Sequence, residues 1–185
     1  MSVKMLTPTF LASYCNIWEP REAPDGKMKY SCSMVFSKDA DISGLRKAAE
    51  TAAEQVFGKK WKTIKNFSMP FRDGDEERGD DAHYENAIFM NASAAANRQP
   101  GIVDQKRQPL FDQDDVYSGC ICRAQVNFFG FGLDKKKTGG NQGVGVGLSN
   151  IQLIRKGERI DGRDSAEDAF DDIDDDIDTN NDPLS

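Results

Sequence analysis

The acidic end of the chain, residues 161–185, limits how much of the sequence can fold into a packed domain. It contains eleven Asp and Glu residues against one arginine, a net charge of −10, whereas the whole chain carries −7. A segment with this much like charge and few large apolar side chains buries too little surface to offset the entropy of ordering. We therefore predict one domain over residues 1–160, which by difference carries +3, and a mostly disordered acidic tail over residues 161–185.

The division of charge also indicates the kind of ligand. Binding depends on where charge lies and not on the average over the chain, so a basic body with its own polyanionic extension is typical of a protein that binds a polyanion. The alternative is a tail that serves only to solvate the protein. If the tail acts on the ligand site or docks partner proteins, its candidate residues are Phe170, Asp171, Asp172, Asp174, Asp175, Asp176 and Leu184.

Hydrophobic patterning over the body indicates mainly strands. Apolar and β-branched runs predict five of them, over residues 3–18, 27–36, 87–93, 120–131 and 144–155. One helix is predicted over residues 43–57, with Gly58 ending it and Ser37, Asp39, Asp41 or Ser43 as N-cap candidates. Residues 66–85 are polar and mixed in charge, which predicts a solvated loop, and residues 98–115 have no regular pattern.

These elements predict a mainly β fold with one or two helices. Short strands with turn signals between them favour a small barrel or sandwich over a βαβ fold. A five-stranded, OB-fold-like barrel with loop insertions and a disordered acidic tail fits the count of strands, and barrels of this kind bind oligonucleotides on one face.

The strand over residues 120–131 carries an unusual outward face. Alternation places Cys120, Cys122, Ala124, Val126 and Phe128 on the core side, and Arg123, Gln125, Asn127, Phe129 and Phe131 on the other. Exposed aromatic side chains among polar and basic ones suit a platform on which nucleic-acid bases stack. The alternative is that Phe129 and Phe131 pack under a loop.

Basic residues in three other places could contact phosphates. Two lie on the polar face of the strand over residues 27–36, four follow the helix around Trp61, and three occupy the glycine-rich loop after residue 133. For Trp61 the alternative is an anchor that fixes a surface lysine patch to the core. The candidate DNA-binding residues are Lys27, Lys29, Lys59, Lys60, Trp61, Lys62, Arg123, Asn127, Phe129, Phe131, Lys135, Lys136 and Lys137.

The sequence offers little support for catalysis, for a metal or for a cofactor. His83 is the single histidine and has no evident partner, so neither a zinc site nor a His-activated nucleophile is indicated. The glycines of residues 143–147 do not match a dinucleotide fingerprint, and residues 135–140 (KKKTGG) do not match a phosphate loop. We therefore predict no cofactor, no metal and no enzyme, with a metal-dependent nuclease as the weakest alternative.

Cellular context follows from the cysteines and from hydropathy. No run of 18 apolar residues is present, which argues against a membrane span, and the first ten residues lack the apolar core of an export signal. We therefore expect a cytoplasmic protein whose four cysteines (Cys15, Cys32, Cys120 and Cys122) are reduced and buried.

Four segments together resemble the single-stranded-DNA-binding proteins of tailed phages, over about Met5 to Phe170. The segments are KYSCSMVF before the helix, RQPGIVDQKRQPLF, DVYSGCICRAQVNFFGF and GVGVGLSNIQLIRKGERIDGR. The resemblance implies an OB-fold body, sequence-independent binding to single-stranded DNA, and a role in phage DNA replication or recombination in the host cytoplasm.

The acidic tail is similar in kind to the tails of bacterial and phage single-strand binders, which implies docking of replication or recombination proteins. In such proteins a terminal aromatic or apolar residue often makes that contact, whereas this sequence ends Asp182-Pro183-Leu184-Ser185. A protein-interaction adaptor that does not bind DNA is the alternative.

Overall fold

The computed structural model describes residues 2–133, 141–163 and 169–170. Within these ranges the chain is mainly β. Its strands are β1 Val3–Leu6, β2 Phe10–Glu22, β3 Met28–Ser37, β4 Arg72–Asp73, β5 Ala87–Ala95, β6 Gly101–Val103, β7 Ile121–Phe131 and β8 Gly143–Arg155. Its α-helices are α1 Ser43–Phe57 and α2 Gly74–Glu77, and single 3₁₀ turns occur at Trp61–Thr63 and Ala82–Tyr84.

Five of the strands close into a barrel in the order β2, β3, β5, β8, β7 and back to β2. Every contact in this ring is antiparallel except that between β5 and β8, which is parallel and consists of the pair Ser93 and Gly147. A five-stranded, partly open barrel of this kind is an OB-fold, so the predicted fold class is confirmed.

Short segments fill the opening between β5 and β8. β4 pairs with β5 at Ile88 and Phe89, Ser68 bridges to Gly143, and β6 runs parallel to β8 beyond the closing pair. None of these short strands was predicted, because two- and three-residue strands carry no readable alternation.

The core lies inside the barrel and under α1. Phe10 and Phe36 meet edge to face with ring centroids 5.8 Å apart, and both are buried. The buried side of α1, including Leu45 and Ala49, covers one end of the barrel. The helix lies so close to β7 that a Cβ added at Gly130 would come within 2.7 Å of Val56.

The first predicted strand and the predicted helix cap differ from the structure, and the other strand ends agree to within two residues. The first predicted strand is interrupted at residues 7–9, where the Thr7 hydroxyl accepts a hydrogen bond from the Ala124 amide at 3.0 Å, and β1 and β2 pair with different parts of β7. The N-cap position of α1 is Ile42, which none of the predicted candidates occupies. Asp41 instead accepts from the Ser43 amide at 3.0 Å, one residue outside the cap.

Residues 66–85 are not simply a solvated loop. Tyr84 is fully buried against the outside of the barrel, with Val35, Ala87 and Phe89. Its hydroxyl lies 2.9 Å from Ser13 Oγ and 3.2 Å from Ser33 Oγ. Because Tyr84 lies among charged residues in the sequence, the hydrophobic pattern did not indicate that its side chain is buried.

The four cysteines are free thiols and three of them are buried. Among the residues described, no helix is long and apolar enough to cross a membrane. Over the same ranges, no group of three or more His, Cys, Asp or Glu side chains could hold a metal ion.

Candidate nucleic-acid interface

The outward side chains of β7 form one continuous row, as the alternation predicts. Cys122, Val126 and Phe128 are buried inside the barrel. The outer β7 row consists of Arg123, Gln125, Asn127, Phe129 and Phe131. Phe129 and Phe131 are each 37% exposed, so neither ring is covered as a core aromatic would be.

Three glycines of β8 explain how these side chains lie. Gly143, Gly145 and Gly147 pair with Phe131, Phe129 and Asn127 respectively. A Cβ added at Gly145 would meet the Phe129 ring at 2.7 Å, and one at Gly143 would meet the Phe131 ring at 3.0 Å. Glycine in a strand permits this close approach. Each ring therefore rests on the β8 backbone and keeps part of its surface open to solvent.

A line of small and polar side chains continues from this row across the barrel. Cross-strand pairing places Asn127, Gly147, Ser93 and Ser31 side by side on β7, β8, β5 and β3. These four residues are called the groove floor below, and none of their side chains is large. Lys4 on β1 pairs with Asn127 and extends the same line with a positive charge.

Sequence reasoning missed Lys4, Ser31 and Ser93. Alternation in residues 3–6 places Lys4 on the polar side, which was a usable signal. The positions of Ser31 and Ser93 opposite each other depend on strand register, which the pattern of a single strand does not contain.

The other half of the outer β7 row is polar and held in place. Arg123 Nε donates to Gln152 Oε1 at 2.6 Å. Asn150 Nδ2 donates to Gln125 Oε1 at 2.9 Å, and Gln152 Nε2 donates to the Asp104 carbonyl at 3.0 Å. Only Nε of the exposed Arg123 guanidinium is used in this contact, so its remaining N–H groups can donate to phosphate oxygens.

The lysines of β3 and its preceding turn lie beyond the groove floor. Lys29 points outward two residues from Ser31 and forms an ion pair with Asp25 at 2.9 Å. The hydrogen bond from Lys29 is the largest cause that lowers the pKa of the Asp25 carboxyl. Lys27 is exposed, and its amide donates to the same carboxylate at 3.0 Å.

The basic segment after α1 joins the aromatic end of the row. Trp61 packs against Phe67 with ring centroids 5.2 Å apart, and the Lys62 ammonium lies 5.4 Å from the Trp61 ring. Lys59, Lys60 and Lys62 are exposed. Ser68 follows Phe67 and bridges to Gly143, the glycine under Phe131. Trp61 is therefore packed against the core, while the lysines around it face solvent.

Several predicted residues lie outside the described ranges. These are Lys135, Lys136 and Lys137 in the β7–β8 connection, and Asp171, Asp172, Asp174, Asp175, Asp176 and Leu184 in the tail. The described ends of the connection, residues 133 and 141, flank the aromatic end of the groove. Phe170 is described and is 77% exposed.

An acidic segment borders the groove on one side. Residues 73–85 hold seven carboxylates and one arginine, a net charge of −6. They cover the outer face of β3 and β5 around Val35 and Phe89. Lys38 pairs with Asp73 at 3.0 Å and with Asp75 at 2.7 Å. Phe129, Phe131 and Arg123 therefore lie on the β7 side of the groove floor, and this cluster of negative charge lies on the opposite border.

The fold and this groove together define the class of protein. The chain is an OB-fold barrel with small residues on its outer floor, two partly exposed aromatic rings at the end of β7, and Arg123 and Lys4 on the same face. Residues 3–180 match the family described as Enterobacter phage Enc34, ssDNA-binding protein. The chain belongs to that family.

One relative is similar in sequence over most of its length. Putative protein p50 of Acyrthosiphon pisum secondary endosymbiont phage 1 is 27% identical over 163 residues, which cover 81% of this chain and 82% of the relative.

Two solved structures share the fold at low identity. The single-stranded DNA-binding protein of bacteriophage Enc34, solved in complex with ssDNA, superposes with a TM-score of 0.72 at 16% identity, over 85% of this chain and 89% of that one. The single-stranded DNA-binding protein gp2.5 of bacteriophage T7 gives a TM-score of 0.60 at 13% identity, over 88% and 97%.

Proposed function

We propose that this protein binds single-stranded DNA without sequence preference and without cleaving or modifying it. We propose that it acts in phage DNA replication or recombination. The observation that carries the proposal is the set of three β8 glycines that hold Phe131, Phe129 and Asn127 against the backbone with their outer surfaces open. Nucleic-acid bases stack on such rings whatever their identity, because every base has a π face.

The open aromatic rings favour single strands over duplexes. Bases in a duplex stack on each other, so the Phe129 and Phe131 rings can stack on them only when the strand is unpaired. Arg123 and Lys4 lie on the same face as the rings, and exposed lysines follow α1. These cations can neutralise phosphates and release counterions. Membership of a family described as ssDNA-binding supports the same conclusion.

The test is a salt titration of oligo-dT binding by a variant that ends at Gly162, which removes most of the acidic tail. We expect binding that weakens steeply with salt and exceeds binding to a duplex of equal length. The absence of salt-sensitive binding at low salt would refute the proposal and favour the adaptor alternative. Intact oligonucleotide after incubation with magnesium would exclude the nuclease alternative.

A matched pair of aromatic variants locates the site. Phe129→Ala removes a ring from the groove, whereas Phe111→Ala removes a ring that is 87% exposed on the connection between β6 and β7. Stacking contributes roughly 1–3 kcal/mol per base, so Phe129→Ala should weaken binding by about 5- to 100-fold. Phe111→Ala should bind like the parent, and equal losses for both would argue against the groove.

The second part of the proposal concerns the tail, residues 161–185, as a competitor for the groove. The body ends at a fixed point, where the Ile160 amide donates to the Ser118 carbonyl at 3.0 Å and the Tyr117 hydroxyl donates to the Gly157 carbonyl at 2.7 Å. The 22 residues after Arg163 could span up to about 70 Å if extended. A tethered polyanion with that reach competes at high effective concentration.

Truncation after Gly162 should therefore tighten DNA binding at matched ionic strength. A control with the same length but with the tail aspartates changed to asparagine should behave like the truncated form, since charge and not chain length is proposed to compete. Equal affinity with and without the tail would refute this part. Docking of replication or recombination proteins by the tail is a separate proposal, supported here by the exposure of Phe170.

A further inference from the structure

A bulge in β2 turns one aromatic side chain out of the barrel. Ser13 pairs with Ser33 and Asn16 with Ser31, so β2 has one more residue than β3 between these pairs. The extra residue allows Tyr14 to follow the outward Ser13 and still point outward, where strict alternation would place it inside. Tyr14 adopts a φ of +44° and is 57% exposed. Bulges often re-aim a side chain beside a functional site.

An arginine supports this exposed ring from beneath. The Arg78 guanidinium lies 4.9 Å from the centroid of the Tyr14 ring, 5.0 Å from that of Tyr84 and 5.2 Å from that of Phe89. Nη1 of Arg78 is 3.4 Å from the Tyr14 hydroxyl. Buried rings hold the guanidinium, and the guanidinium in turn fixes the exposed ring. Left-handed backbone at a tyrosine costs free energy, so its presence here calls for a function.

Tyr14 stands at the far end of the groove floor. Asn16 Nδ2 donates to the Tyr14 carbonyl at 3.1 Å, and Asn16 pairs with Ser31, the last residue of the floor. Phe129 lies at the opposite end, on β7. Four strand spacings separate β7 from β2 along the floor, which corresponds to about 19 Å. A DNA strand that crosses the floor would meet an aromatic ring at each end.

We propose that Tyr14 is a second base-stacking platform, which receives a base of the strand whose other bases stack on Phe129 and Phe131. This inference rests on the proposed function of the groove. Glu77, Asp80 and Asp81 line the cavity beside Tyr14 and Arg78, and their charges repel phosphates. The contact at Tyr14 is therefore to an uncharged base, with the sugar–phosphate chain turned away from this acidic border.

The test compares Tyr14→Asn with Tyr14→Phe in the variant that ends at Gly162, using a twelve-nucleotide oligo-dT. Asparagine tolerates left-handed backbone but has no ring. We expect Tyr14→Asn to weaken binding by about 5- to 100-fold, the effect of one lost stacking contact. The dependence of affinity on salt should stay unchanged, because no phosphate contact is lost. Tyr14→Phe should bind like the parent.

If Phe129→Ala weakens binding and Tyr14→Asn binds like the parent, this inference alone is overturned. Failure of the parent to bind would overturn the proposed function with it. A Tyr14→Trp variant gives a second measurement that does not depend on losing the ring. Its tryptophan fluorescence should be quenched by oligo-dT more than that of the parent, and equal quenching would count against the platform.

Discussion

Replacement of Gly145 by alanine separates the function of the β8 glycines from their contribution to stability. The change adds one methyl group, whose carbon would lie 2.7 Å from Cζ and 2.9 Å from Cε2 of Phe129. Ordinary contact begins at 3.4 Å, so the ring must withdraw by about 0.7 Å. Because these atoms are the tip of a half-exposed side chain, the ring can move and the barrel need not.

The two effects of this substitution have opposite signs. Where alanine fits the backbone, replacing glycine stabilises a protein by about 0.4–1 kcal/mol through the unfolded state. A displaced Phe129 ring loses some or all of its stacking contact with a base, and such a contact contributes roughly 1–3 kcal/mol. We therefore expect Gly145→Ala to unfold at the same or a higher denaturant concentration, and to bind oligo-dT about 5- to 100-fold more weakly.

A double-mutant cycle with Phe129→Ala identifies the cause. If Gly145→Ala acts only by displacing the Phe129 ring, it should cost nothing further once that ring is absent. The assay is fluorescence anisotropy of labelled oligo-dT with the parent, both single variants and the double variant, all ending at Gly162. Additive losses would refute the reasoning, since they would mean that Gly145 contacts the ligand independently of Phe129.

Three further outcomes follow from the structure. Arg123→Gln should reduce the slope of log affinity against log salt concentration by about 0.7, one phosphate contact on a single strand, and an unchanged slope would remove Arg123 from the site. Burial raises the pKa of the Cys122 thiol, so the folded state keeps this proton when the unfolded state loses it above about pH 8.5. Stability should then fall as pH rises from about 8.5 to 10, by at most about 1.4 kcal/mol per pH unit from this group, and Cys122→Ala should make urea midpoints less pH-dependent. Gly26 and Gly119 both have left-handed φ, but only at Gly119 would a Cβ collide with the Glu158 carbonyl oxygen. Gly119→Ala should thus cost about 1–3 kcal/mol more than Gly26→Ala, and equal costs by urea denaturation would contradict the collision.

Much of the fold was predictable because its long elements have strong periodicity. The buried and exposed positions of β7 follow the alternation of its sequence from Cys122 to Phe131. The helix over residues 43–57 has the predicted bounds. What the pattern missed was short or locally polar, as with β4, β6 and the buried Tyr84. Such segments take their structure from the surface against which they pack, which a window of sequence does not contain.

The groove was harder to predict because two bulges change the phase of alternation. In β8, Val144, Val146 and Leu148 point inward at even positions, whereas Ile151 and Leu153 point inward at odd ones. The extra residue lies between the partners of Gln125 and Val126 on β7. Strict alternation from the glycines would turn Asn150 and Gln152 into the core, and the bulge returns both to the outer face.

The same reasoning applies to β2, whose bulge keeps the Tyr14 ring on the outer face although strict alternation would bury it. In both strands the bulge shifts the alternation by one residue. A polar or aromatic side chain then lies on the outer face, and apolar side chains still point into the core. The β8 bulge lies close to Gly147 of the groove floor, and the β2 bulge lies beside Asn16, which pairs with Ser31 of the floor. In β8 the bulge serves both faces at once, because uninterrupted alternation would turn Asn150 and Gln152 inward and Ile151 and Leu153 outward.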